Sequence, residues 1–241
     1  MAGAGKKTFT AGEILTASDT NTYLMEQTVM YFAGTAARAS AIPTPSTGMT
    51  SYIGTTGTAS IPQIETYTGS AWQTPYGMTL VGTVNFTSAT SVVLDNVFTS
   101  AYDSYYIVHS ARNNSANDVG IAFQFRSAGS TIAGTAYQRN AIQSYLTVIS
   151  ATGTNGGAFW NCGIASQVNF SQTTMTVTNP AKALSKAMEF HAAHSQAGAT
   201  LDTYYGFGSN ITNTAYDGMV LVCNGAGTIT GTVRVYGLRN S

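Results

Sequence analysis

The chain has 241 residues, ten basic and ten acidic, so its formal net charge is zero. Charged residues make up only 8%, against roughly a quarter in ordinary soluble domains, with Thr, Ser, Ala and Gly in their place. The balance excludes a basic surface built for nucleic acid. No run of about 18 apolar residues predicts a membrane span, and 14 Tyr and 10 Phe with many Val and Ile supply a core and argue against disorder.

So few charges leave a lone monomer poorly protected against association. The expectation is a stable homo-oligomer or a component of a larger particle. Lys6 and Lys7 have no apolar stretch behind them, so the start does not read as a secretory signal. Cys162 and Cys223 form no disulfide framework and read as buried free thiols from a reducing cytoplasm.

Residues 1–42 form a first zone, predicted helical. Thr16 can cap, and Asp19 three residues on completes an Asp variant of the capping box. Leu24, Thr28 and Tyr31 fall on one helical stripe and Met25, Val29 and Phe32 on the next, a broad apolar face for the core or for a partner. Gly34 reads as the stop, and Thr35 as the cap of a short Ala-rich turn ending before Pro43.

Residues 43–77 read as a stiff linker and a small β-hairpin unit. Ile42–Gly48 is extended. Strands are predicted at Met49–Ile53 and Ile64–Tyr67, with a turn at Thr68–Ser70 and a return strand at Ala71–Thr74.

Residues 78–241 read as strand after strand. Roughly ten are predicted: Leu80–Phe86, Ser91–Leu94, Tyr105–Arg112, Val119–Arg126, Ile142–Ile149, Gln167–Thr178, Ala187–His194, Thr203–Gly208, Met219–Cys223 and Thr228–Tyr236. Alternation is clear in several; Val233 and Val235 share one face, and Thr232, Arg234 and Tyr236 the other. Asn155-Gly-Gly157 and Asp217-Gly218 read as turns. There is no strict internal repeat, which argues against a β-helix or propeller. The fold class is all-β: a jelly-roll-type β-sandwich preceded by a short helix and the small β unit.

Enzyme signatures are absent or weak. His191 and His194 sit on opposite faces of a predicted strand, with no third metal ligand at a suitable spacing. His109 lies inside an alternating strand. Most acids sit beside turns, where turn hydrogen bonding is their ordinary role. No Gly-x-Ser-x-Gly elbow or phosphate loop occurs, and the sequons at Asn85, Asn113, Asn169 and Asn210 are chance products of a Thr/Ser-rich chain. No catalytic, metal or cofactor-binding residue is predicted. What stands out is aromatic side chains in segments rich in Asn, Gly and Thr: Tyr137, Tyr145, Trp160, Tyr204, Tyr205 and Phe207. Exposed, they would suit carbohydrate; otherwise they belong to a core or a subunit interface.

The stretch Phe9-Thr-Ala-Gly-Glu-Ile-Leu-Thr-Ala-Ser-Asp-Thr-Asn-Thr-Tyr-Leu-Met-Glu-Gln27 closely resembles the start of many minor structural and tail-fibre proteins of tailed bacteriophages. Ala36–Pro43, Gly48–Tyr52 and Tyr67–Trp72 resemble the Ala-rich, linker and hairpin segments that follow it there. Val97–Tyr106 and the ending Ile229–Asn240 resemble the terminal sandwich of such fibres. The resemblance implies a virion protein, usually a homotrimer, assembled in the bacterial cytoplasm. Its N-terminal segment (Leu24, Met25, Thr28, Val29, Tyr31, Phe32) would anchor to other virion proteins. Its distal sandwich would meet a glycan or protein of the host surface, with Tyr137, Tyr145, Trp160, Tyr204 and Tyr205 as contact candidates. The chain's length favours a short tail fibre; a capsid-attached head fibre or decoration protein is the alternative, and a polysaccharide depolymerase a third reading. Neither nucleic acid nor membrane insertion is implied.

Overall fold

The computed structural model describes residues 10–20, 29–54, 63–74, 77–195 and 201–239. The chain divides into two compact units, Met1–Tyr76 and Gly77–Ser241.

In the first unit α1 (Ala17–Asp19) opens on the expected capping box. Thr16 Oγ1 accepts from the Asp19 amide at 3.1 Å, and Asp19 Oδ2 accepts from the Thr16 amide at 3.3 Å. Leu24, Met25 and Thr28 lie outside the described residues. Where the helical stripe should continue, Met30–Phe32 is instead a strand, β1. Tyr31 and Phe32 are aromatic and Val29 is β-branched, all types that fit a pleated surface, and three residues satisfy a short strand as readily as one helical turn. Gly34 is not a stop but the N-cap of α2 (Thr35–Ala41), which ends before Pro43 as expected. Helix α2 supplies the crossover that lets β1 lie parallel to β2 (Thr50–Ile53). Strands β3 (Gln63–Tyr67) and β4 (Trp72–Gln73) complete a sheet in the order β1-β2-β3-β4, so the hairpin unit is part of a four-stranded sheet. The turn between β3 and β4 is closed by the Thr68 amide donating to the Ala71 carbonyl at 2.9 Å, with Gly69 at φ +99°.

The second unit contains β5 (Met78–Ala89), β6 (Ser91–Leu94), β7 (Tyr102–Asn113), β8 (Val119–Ser127), β9 (Ser130–Thr131), β10 (Tyr137–Tyr145), β11 (Val148–Gly157), β12 (Trp160–Ala165), β13 (Ser171–Thr178), β14 (Lys186–Ser195), β15 (Leu201–Asn210), β16 (Gly218–Asn224) and β17 (Ile229–Arg239). One sheet runs β11-β10-β15-β14-β13-β7-β17-β5, the other β12-β8-β16-β6 with β9 beside β8. Two four-strand rows carry the topology: β5-β17-β7-β13 and β6-β16-β8-β12. Numbered in chain order from 1 to 8, they read 1-8-3-6 and 2-7-4-5, the double Greek key of a jelly roll. Two inserted hairpins, β10–β11 and β14–β15, widen the first sheet beyond β13.

Alternating strands position the core. Tyr105, Ile107 and Ala111 of β7, Val233 and Val235 of β17, and Met175 and Val177 of β13 point inward against Ile121, Phe123 and Phe125 of β8 and Leu221 of β16. The predicted strand Ile142–Ile149 is two strands with a turn at Leu146. Asn155-Gly-Gly157 is not a hairpin turn; it ends the edge strand β11, with Gly156 taking a φ of +76°.

Candidate functional site

The hairpin extension presents an open outer face. On β15 the outward side chains are Leu201, Thr203, Tyr205, Phe207 and Ser209. In register lie His191 and Glu189 on β14 and Ile142 and Asn140 on β10. Ile142 and Phe207 are each 52% exposed and Tyr205 39%. The Tyr205 ring meets Phe207 edge-on at 5.0 Å and His191 at 4.4 Å. The Tyr205 hydroxyl donates to Glu189 Oε1 at 3.2 Å, and His191 Nε2 lies 3.2 Å from the same oxygen. Partial burial and then the Glu189 carboxylate raise the phenol above its ordinary range. Beside these rings Ile142, Ser144, Gln172, Thr174, Thr203 and Tyr205 line a shallow depression of about 500 Å³. Ring faces and edges bordered by hydroxyl and amide groups are the chemistry that holds a sugar ring.

The rings point outward because glycines occupy the alternate positions of β15. A Cβ on Gly206 would lie 2.4 Å from the Phe190 ring, and one on Gly208 2.8 Å from Trp160 Nε1. The inner side of β15 therefore closes on Phe190 and Trp160, and the outer side keeps Tyr205 and Phe207.

The other aromatic candidates are placed differently. Tyr137 and Trp160 are core residues, 1% and 0% exposed, and are not open to a receptor. Trp160 Nε1–H donates to the carbonyls of Gln138 and Ser209 at 3.0 and 3.1 Å, and its ring packs on Phe123, Phe125 and Tyr137. The Tyr137 hydroxyl donates to the Ile132 carbonyl and accepts from the Phe125 amide. Tyr145 is half-buried at the end of β10. Tyr204 faces inward, half-buried, stacked on His194 with its hydroxyl donating to Asp202 Oδ2 at 3.3 Å; burial first, then Asp202, raises its pKa. Of the five candidates only Tyr205 stands on the open face. Phe207, its neighbour there, was visible in sequence as one of the aromatics in polar surroundings.

In the first unit Val29, just before β1, and Tyr31 are exposed and Phe32 is half-buried, the last two on a strand rather than a helix. Tyr31 stacks on Tyr52 at 5.9 Å, and Tyr52 pairs with Ile64, so the three form an exposed row across the sheet. His191 is exposed and His194 buried, on opposite faces of β14 as their spacing predicts. No group of three His, Cys, Asp or Glu gathers as a metal site among the described residues.

Compared with known proteins, the chain matches no family model, no curated protein and no solved structure.

Proposed function

We propose that this chain is a structural protein of a tailed-bacteriophage virion: a homotrimeric short tail fibre, assembled in the bacterial cytoplasm, whose sandwich attaches the particle to a glycan or protein of the host surface. The observation that carries the reading is the outer face of the hairpin extension. There Tyr205, Phe207 and Ile142 stay exposed among Ser144, Thr174 and Thr203. The inner side of β15 is filled by Phe190 and Trp160, so the two rings take no part in the core and are left to the outer face. The low charge of the whole chain adds support, because a surface with so few ionised groups is one that identical copies can cover. One such face binds weakly; three on a trimer, and several trimers on a particle, raise avidity by about 10²–10⁴ where the spacings match.

The test is binding of the purified, fluorescently labelled chain to a panel of bacterial strains. Saturable binding to some strains is expected, with protection of those strains from infection by the phage that carries the protein. The double substitution Tyr205→Ser, Phe207→Ser should abolish binding and leave thermal stability nearly unchanged, because both rings are outside the core. Equal binding by the double variant, or binding to none of the strains, contradicts the proposal.

A further inference from the structure

The inner face of the same extension holds a second feature, independent of the virion reading. Beyond the edge of β12 the small sheet stops, and the inner side of β10 and β11 lines a polar cleft of about 340 Å³. Its lining includes Arg139 and Gln143 of β10, Thr152 of β11, Tyr204 of β15, and Asn161 and Asn224 from the small sheet. Arg139 is its one charged lining group. Nη1 donates to the Asn161 carbonyl at 3.2 Å and Nη2 to Thr152 Oγ1 at 3.3 Å. The remaining N–H groups of the guanidinium make no hydrogen bond among the described residues, and no carboxylate there pairs with it. The free N–H groups of this half-buried fork stay open to the cleft, and burial lowers its pKa. On this face Asp202 pairs with Tyr145 at the far end of β10, and its Oδ2 is engaged by Gln143 Nε2 at 2.7 Å and the Tyr204 hydroxyl. Beside Arg139 the Asn161 amide has its Oδ1 buried without a donor. Its Nδ2 makes no hydrogen bond among the described residues and is the donor that this amide offers to the cleft.

We infer that this cleft is an oxyanion-binding site, in which the Arg139 fork takes a carboxylate or phosphate group and the Asn161 and Asn224 amides complete its hydrogen bonds. Arginine matches both groups with two parallel N–H bonds. The source is either an acidic sugar residue or a free inorganic anion.

Saturation-transfer NMR on the full chain, with D-glucuronate, D-glucose and inorganic phosphate at matched ionic strength, tests the site. Glucuronate should give a signal that glucose does not. Displacement by phosphate identifies a general oxyanion site; binding that phosphate leaves untouched identifies the sugar-linked carboxylate as the source. Arg139→Gln should reduce the glucuronate signal about tenfold. Asn224→Asp adds a negative charge at an exposed position of the lining, which does not threaten folding, and should do the same. Tyr205→Ser with Phe207→Ser should leave the signal intact, which separates this cleft from the outer face. Equal signals for glucuronate and glucose, or a signal that Asn224→Asp does not weaken, overturns the inference.

Discussion

The ammonium of Lys186 lies 4.7 Å from the centre of the Tyr216 ring, with both residues buried. Its remaining surroundings are main-chain carbonyls: Lys182 at 3.0 Å, Thr212 at 3.2 Å, Leu184 and Thr214. The charge is thus held by carbonyl dipoles and an aromatic face, and it ties the segment before β14 to the one before β16. Lys186→Met keeps the volume and removes the donors, stranding those carbonyls. A loss of roughly 2–4 kcal/mol is expected, read as a lowered urea midpoint by circular dichroism. An unchanged midpoint would show that the carbonyls find other donors.

Stability should also fall as the solution is acidified. His109 points into the sandwich from β7, and complete burial lowers its pKa from 6.5 to about 4. Between those values the unfolded chain takes up a proton that the folded chain refuses. The folded state is therefore weakened as pH drops through this window, by roughly 3 kcal/mol in all, and the group adds no slope above it. Burial lowers His194 as well, opposed by Asp202 and Asp118, so its effect has the same sign. Urea denaturation near pH 7.5 and near pH 4.5 should show the loss, and His109→Leu should flatten it. A slope that this substitution leaves undiminished would place the proton uptake elsewhere.

The two cysteines should be silent in the folded protein. Cys162 is 0% exposed, and burial pushes its thiol up to about 12. Burial also raises Cys223. A thiol-specific chromogenic disulfide should leave both untouched under native conditions and react with both in denaturant. Rapid labelling of either native thiol would mean that the sandwich opens readily.

In the first unit Arg38 and Glu65 form an ion pair with both side chains less than a tenth exposed, and the guanidinium lies 4.5 Å above the Trp72 ring. Removing one partner strands the other charge, so Glu65→Gln should cost about 3–5 kcal/mol. The unit's sole tryptophan, Trp72, reports the change through its fluorescence. Unfolding of the Glu65→Gln variant at the wild-type midpoint would show that the pair contributes little.

Much of the sandwich is legible in the sequence because its core strands alternate. Val233 and Val235 between Thr232, Arg234 and Tyr236, or Ile121, Phe123 and Phe125 in β8, announce both strand and buried face. Strands β11 and β12 are not legible. Val148–Gly157 is an exposed edge rich in Gly and Thr, and Gly163 interrupts Trp160–Ala165. The helical stripe reads on through Phe32 because three residues cannot separate a helical from a strand period, and what decides is pairing with Thr50–Ile53. Tyr137 and Trp160 looked available for contact because their neighbours in sequence are polar. Their burial comes from partners far along the chain, above all Gly208 beneath the indole. The Arg139 cleft draws Thr152, Asn161 and Asn224 from separate strands, so no spacing in the sequence marks it.

That identical copies cover this low-charge surface is tested most directly by sedimentation equilibrium across a wide dilution range. A mass three times the 25.2 kDa of one chain, unchanged on dilution, is expected; a 25.2 kDa species at every concentration contradicts it.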